Sequence, residues 1–143
     1  MILVDANILL YAVNSAAAEH EKARRWLDAC LSGTEEIAFA WPVILAFLRI
    51  ATHPGLFPRP LSMKTATAKM DAWLGQPVAR MLDPSAGHWN RFADLLNQTK
   101  CSGNLVQDAH LAALTLESGA ALCSTDADFS RFPELNVRNP LEE

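Results

Sequence analysis

Two rhythms of apolar and polar positions run along this chain. Short runs of branched or long apolar residues have the length and content of strands buried in a sheet. They are Ile2-Leu3-Val4, Glu36-Ile37-Ala38-Phe39-Ala40, Val78-Ala79-Arg80-Met81-Leu82 and Ala120-Ala121-Leu122-Cys123-Ser124. Between them, apolar positions recur with the spacing of one helical face. Ile8-Leu9-Leu10-Tyr11-Ala12 predicts a buried helix that Asn14-Ser15 breaks. From about Glu19, the residues Ala23, Trp26, Leu27, Cys30 and Leu31 predict a second helix, ended by Ser32-Gly33. Pro42 suits the first turn of a third. Val43, Ile44, Phe47, Leu48 and Ala51 form its apolar face, and Arg49 lies off that face near the helix end.

His53-Pro54-Gly55 and Phe57-Pro58-Arg59-Pro60 read as a proline-stiffened loop. Ser62 fits the cap of a helix carrying Ala66, Met70, Trp73 and Leu74, which Gly75 and Pro77 terminate. Asp83-Pro84 turns the chain into a helix around Trp89, Phe92, Leu95 and Leu96, closed by Cys101-Ser102-Gly103. Asn104 is placed to cap a helix over Leu105–Ser118, with Gly119 ending it, and Asn136-Val137-Arg138 reads as a short edge strand. Strands separated by helices imply parallel pairing through right-handed crossovers, hence an α/β sandwich. No internal repeat or low-complexity tract interrupts it, so a single domain over 1–143 is expected.

Composition narrows the class. At 50% hydrophobic residues the chain can offset its ordering entropy and fold throughout. No apolar run approaches the roughly 20 residues of a membrane span, and no basic stretch precedes an apolar one as in a secretory signal. Cys30, Cys101 and Cys123, odd in number and scattered, suggest no disulfide framework and fit a reducing cytoplasm. A net charge of −4 argues against a non-specific nucleic-acid binder but not against a nuclease. Acids gathered at a metal site lower the net charge, while Lys22, Arg24, Arg25, Arg59, Lys64 and Lys69 remain to meet phosphates or simply to be solvated.

Candidate chemistry sits at the strand ends. Asp5 closes the first strand, where open α/β sheets bind ligands, although an acid there can equally cap the following helix. Asp126 follows the last long strand in the same way, and Asp128 comes two residues later. Asp108 lies one helical turn after Asn104, on a helix otherwise largely apolar. Two carboxylates about 4 Å apart repel by about 4 kcal/mol at an effective dielectric near 20. A site that gathers several therefore protonates some of them or binds a cation. Oxygen-only ligands suit Mg²⁺ or Mn²⁺ rather than zinc, and such a cation in an open cleft suits phosphate esters.

These residues carry a family resemblance. Leu3-Val4-Asp5-Ala6-Asn7-Ile8-Leu9-Leu10-Tyr11, Phe47-Leu48-Arg49-Ile50-Ala51-Thr52-His53-Pro54, Gly103-Asn104-Leu105-Val106-Gln107-Asp108-Ala109-His110-Leu111-Ala112 and Ser124-Thr125-Asp126-Ala127-Asp128-Phe129 stand in the family's order across nearly the whole chain. The chain resembles PIN-domain ribonucleases, specifically the VapC toxins of VapBC toxin–antitoxin pairs. The resemblance implies a PIN-like three-layer sandwich with a central, mostly parallel sheet and helices on both faces. It also implies a Mg²⁺- or Mn²⁺-dependent endoribonuclease that acts on RNA, forms a homodimer and is inhibited by a cognate VapB-like antitoxin. Carried over by position, Asp5, Asp108 and Asp126 are metal-site acids and Asp128 is a supporting catalytic acid. Asn7 and Thr125 become polar neighbours facing the substrate. Arg49 either meets a carboxylate or a substrate phosphate or is simply a helix-end charge on the dipole.

One departure stands out. The family usually places a glutamate three residues before the position of Arg49, and here that residue is Ala46. The acid set loses a member, which favours one metal with more water ligands over two. It also motivates a second reading, a degenerate PIN domain that binds RNA or antitoxin with weak or no nuclease activity. A phosphatase using Asp5 as nucleophile ranks last, because such enzymes want a second Asp where this chain has Asn7. Trp41, Phe47, Phe57, Trp73 and Trp89 are more large aromatics than a small core always needs, so some are expected at a dimer face or an antitoxin groove.

Overall fold

The computed structural model describes residues 1–142. Its elements are β1 (Ile2–Val4), α1 (Ala6–Val13), α2 (His20–Leu31), β2 (Ile37–Phe39), α3 (Trp41–Ala51), α4 (Met63–Leu74), β3 (Ala79–Met81), α5 (His88–Gln98), α6 (Leu105–Ser118), β4 (Ala121–Cys123) and β5 (Val137–Arg138). A 3-10 helix, Ala127–Arg131, connects the last two. All strand pairs are parallel, in the order β3-β2-β1-β4-β5.

That order follows from the sequence pattern. β1, β2 and β4 are buried along their whole length, as their unbroken apolar runs require, and they take the centre of the sheet. β3 and β5 carry Arg80 and Arg138 and lie at the edges. From β1 the chain builds outward through β2 to β3, then returns to the other side of β1 for β4 and β5. Right-handed crossovers therefore place the helices of the two halves on opposite faces. The packing agrees: α1 rests on α2 and α3, α3 rests on α4, and α5 pairs with α6. The three-layer α/β expectation holds.

Differences in detail have local causes. Strands β2, β3 and β4 are each one residue shorter at both ends than their apolar runs, because Glu36, Ala40, Val78, Leu82, Ala120 and Ser124 fall outside the paired ladder. α1 starts two residues earlier than its apolar run, since Asp5 supplies a cap. Ser62 caps α4 as expected, accepting from the Thr65 N–H at 3.1 Å. Asn104 does not cap α6: its backbone is already helical (φ −63, ψ −22) and its side chain makes no cap bond, so the expected cap is corrected to a plain first-turn residue.

Gly119 ends α6 in the left-handed region at φ 69. A Cβ there would meet nothing within 4 Å, so the cost of Gly119→Ala is backbone strain alone. The substitution should destabilise the fold by about 1 kcal/mol, read as an earlier denaturant midpoint at unchanged slope. An unmoved midpoint would show that the helix end has another geometry.

Candidate metal centre

The strand order creates a topological switch point between β1 and β4, where the chain departs in opposite directions and leaves a crevice at the carboxyl ends. Asp5 ends β1 there, and its N–H donates to the Cys123 carbonyl of β4 at 3.0 Å. α1 leaves from this edge and α6 arrives with its first turn there, because a crossover helix runs antiparallel to the strand it feeds. Thus Asp108, in the first turn of α6, is brought to the same end as Asp5 and Asp126.

Asp5 is both a helix cap and a wall of the crevice. One carboxylate oxygen accepts from the Ala6 N–H at 2.7 Å, and the other accepts from the Ser124 hydroxyl at 2.7 Å. Ser124, 2% exposed, is the hub of the crevice. Beyond its bond to Asp5 it accepts from Asn7 Nδ2 at 3.2 Å and from the Asp126 N–H at 3.0 Å. One donor and two lone pairs are then all used. Asn7 also turns its oxygen toward the Thr125 N–H at 3.4 Å. The β1 and β4 ends are therefore stitched together side chain by side chain.

The loop after β4 is just as firmly held. Asp126 accepts from the Asp128 N–H at 2.9 Å and so begins the 3-10 helix. Phe129 and Phe132 plug that helix into the core. Arg131 binds the Asp128 backbone carbonyl at 3.1 Å and approaches its carboxylate at 3.8 Å. One carboxylate oxygen each from Asp108, Asp126 and Asp128 then lies within 4.8 Å of the others. This all-oxygen set, held on a helix and an anchored loop, fits a hard divalent cation.

Electrostatics report the same crowding. Burial, and then the carboxylates of Asp126, Asp5 and Asp128, push Asp108 up to about 6, against a small opposing pull from Arg131. Burial also raises Asp5, with a further push from Asp126, while the bonds from Ser124 and Ala6 work the other way. Asp5 thus feels the cluster, although its oxygens already hold protein donors and the closest mutual set is Asp108, Asp126 and Asp128.

The remaining expected residues are spread more widely. Asn7 and Thr125 lie at the crevice. Arg49 is exposed and has no ion pair among the described residues. It lines a groove of about 490 Å³ between α3, α5 and α6, with Ala46, Phe92, Gln107 and His110. The position where the family usually has a glutamate is therefore an apolar wall. Sequence reasoning missed Ser124 as a site residue, since a serine after a strand reads as an ordinary terminator. It also missed a polar chain joining α5 to α6. Ser85 donates to Glu117, whose carboxylate meets His88 Nδ1 at 2.7 Å, and His88 Nε2 meets His110 Nδ1 at 2.9 Å. The spacing of His110 and Glu117, two turns apart on one helix, was the available signal.

Comparison with known proteins places these features in context. Residues 2–135 match the family model described as PIN domain. The chain is 47% identical over 140 residues to Ribonuclease VapC37 of Mycobacterium tuberculosis, covering 98% of this chain and 97% of that protein. It is 36% identical over 142 residues to VapC ribonuclease Mb2897 of Mycobacterium bovis, covering 99% and 97%. In structure it resembles VapBC2 from Rickettsia felis bound to a promoter DNA fragment, with a TM-score of 0.70 at 22% identity over 97% and 98% of the two chains. It also resembles the sarcin-ricin-loop-cleaving toxin VapC20 of M. tuberculosis, with a TM-score of 0.69 at 20% identity over 97% and 100%.

Proposed function

This chain belongs to the PIN-domain family, among its VapC ribonucleases, and from that premise we propose that it is the toxin of a type II toxin–antitoxin pair, a divalent-metal-dependent endoribonuclease. The observation that carries the metal dependence is the convergence of Asp108, Asp126 and Asp128 carboxylates within 4.8 Å at the switch point. These three would hold Mg²⁺ or Mn²⁺, and Asp5, with a lone pair left on each oxygen, can join them. When bound, such a cation activates a water and offsets charge on the attacked phosphate.

The chain's own residues supply the rest. Ser124 and Asn7 fix Asp5 and the Thr125 backbone, and Arg131 steadies Asp128. Arg49, an exposed guanidinium with no competing carboxylate, suits an RNA phosphate. The Thr125 hydroxyl is available at the crevice for a ribose or phosphate oxygen. Relatives seen as VapBC complexes support a VapB-like antitoxin as partner. Trp41, Leu45 and Trp89, at 57%, 60% and 68% exposure, place large apolar surface on α3 and α5, which supports a homodimer through that face. Phe47, Phe57 and Trp73 serve the core instead. Three cysteines, odd in number and scattered along the chain, support action in a reducing cytoplasm. Among the described residues no helix is long and apolar enough to cross a membrane.

Purified protein should cleave structured RNA with Mg²⁺ or Mn²⁺ and lose that activity with a chelator. Asp5→Asn should abolish cleavage as well. A variant cutting as fast as its parent would remove Asp5 from the site. The wall left by Ala46 favours the second reading, a binding module with a degenerate centre. Calorimetry with Mn²⁺ separates the two, because a degenerate centre shows no heat of binding that depends on Asp108.

A further inference from the structure

Asp126 has a second side. A groove of about 290 Å³ adjoins it, lined by Thr125, Asp126, Ser130, Val137, Asn139 and Glu142. It shares Asp126 with the carboxylate cluster, so a ligand seated in it lies next to the group bound there. Its hydrogen-bonding capacity is largely unspent. Asn139 accepts from the Leu141 N–H at 3.0 Å, which orients its amide and leaves the Nδ2 donors available. Ser130 donates to the Ala127 carbonyl at 2.8 Å and keeps its lone pairs. The Thr125 hydroxyl and the Glu142 carboxylate make no hydrogen bond among the described residues.

An ionised carboxylate can only accept, and it is best satisfied by two neighbouring donors. Single-stranded RNA bases present their pairing edges to proteins. Guanine alone among the four shows two adjacent donors there, N1–H and the N2 amine, beside an acceptor, O6. Adenine and cytosine show an amine next to a bare ring nitrogen, which repels a carboxylate. Uracil shows one N–H between two carbonyls. Glu142 and Asn139, an acceptor pair and a donor on one groove, match the guanine edge.

Resting on the ribonuclease reading above, we infer that this groove is a base subsite for a guanine adjoining the phosphate at the metal centre. Glu142 is its discriminating residue, Asn139 Nδ2 faces O6, and Thr125 and Ser130 remain for the sugar. The subsite gives the enzyme a sequence preference that the acid cluster, which sees only phosphate and water, cannot supply.

The test is a nuclear magnetic resonance titration of the full chain, in Mg²⁺, with the 5′-monophosphates of guanosine, adenosine, cytidine and uridine. All four share the phosphate, so any common binding at the cation cancels. Guanosine monophosphate should bind roughly tenfold tighter than the others and shift the Thr125, Ser130 and Asn139 signals. Glu142→Gln, at an exposed position, should leave the fold intact and remove that preference. Equal affinities for the four nucleotides overturn the subsite, as does a guanosine preference unchanged by Glu142→Gln. A parallel RNA cleavage assay keeps the two readings apart. Guanosine selectivity without cleavage supports the subsite and sinks the nuclease, whereas cleavage without selectivity does the reverse.

Discussion

Asp108→Asn should cut RNA cleavage on the order of a hundredfold or more, while raising the melting temperature of the metal-free protein at pH 7. Both effects come from one cause. Asp108 is held near Asp126, Asp128 and Asp5, and its pKa is pushed up to about 6 from 3.8, by burial first and then by those carboxylates. The folded chain therefore binds this proton more tightly than the unfolded chain. Below pH 3.8 the group is neutral in both states and costs nothing. Between 3.8 and about 6 the cost of ionising it grows, and above 6 it is full. Asparagine keeps the shape without the charge. Because Asp108 is partly solvated, screening reduces the gain to about 1 kcal/mol, or roughly 3 °C. The advantage over wild type should vanish as the pH falls toward 4. Added Mg²⁺ should then stabilise wild type more than the variant, since only the intact cluster binds it well. Scanning calorimetry at several pH values checks all of this. A variant that melts lower than wild type at pH 7 would mean the carboxylates are not crowded as described.

The second large effect falls on a residue with no charge. Ser124→Ala removes one donor and two lone pairs from a site 2% exposed. The Asp5 carboxylate, the Asn7 amide and the Asp126 N–H each lose a partner. A buried polar group left unpaired costs about 1–3 kcal/mol, and here water can re-satisfy part of the set. A net loss of roughly 2–3 kcal/mol is expected, a fall of about 5–10 °C in Tm. Cleavage should drop by about 10–100-fold, the usual cost of removing a group that orients metal ligands. Ser124→Thr keeps the hydroxyl and adds one methyl to a packed corner, so it should recover most of the activity at a smaller stability cost. That rescue separates orientation from mere packing. Wild-type melting and rate in Ser124→Ala would show that Asp5 and the following loop are positioned by something else.

The groove at Ala46 bears on both results. The three close acids at the crevice form a cation-sized set without a carboxylate from α3. The same absence leaves Arg49 without a neighbouring acid in its groove. A guanidinium that no carboxylate neutralises is a better phosphate partner than one held in an ion pair. The departure from the family pattern therefore leaves an exposed guanidinium beside an undisturbed set of close carboxylates.

Much of this protein was settled by its sequence. Runs such as Ile2-Leu3-Val4 and Ala121-Leu122-Cys123 can bury both faces only in the middle of a parallel sheet, and the helical apolar stripes between them require covering layers. Periodicity is a local property, so the class of fold, the position of each strand and α-helix and the placing of Asp5 and Asp126 at strand ends were legible. So was a family motif spread in order along the chain. The tertiary structure decided what is non-local. Strand order brings Ser124 onto Asp5 across 119 positions, and no window of sequence contains that pair. It decided that Asp5 caps α1 while bonding Ser124 across the crevice, and that Asp108, Asp126 and Asp128 make the tightest set. It also turned Glu117, His88 and His110 toward one another between two helices. Hydrogen bonds and carboxylate repulsion act over a few ångströms, and only the pairing of distant strands determines which groups come that close.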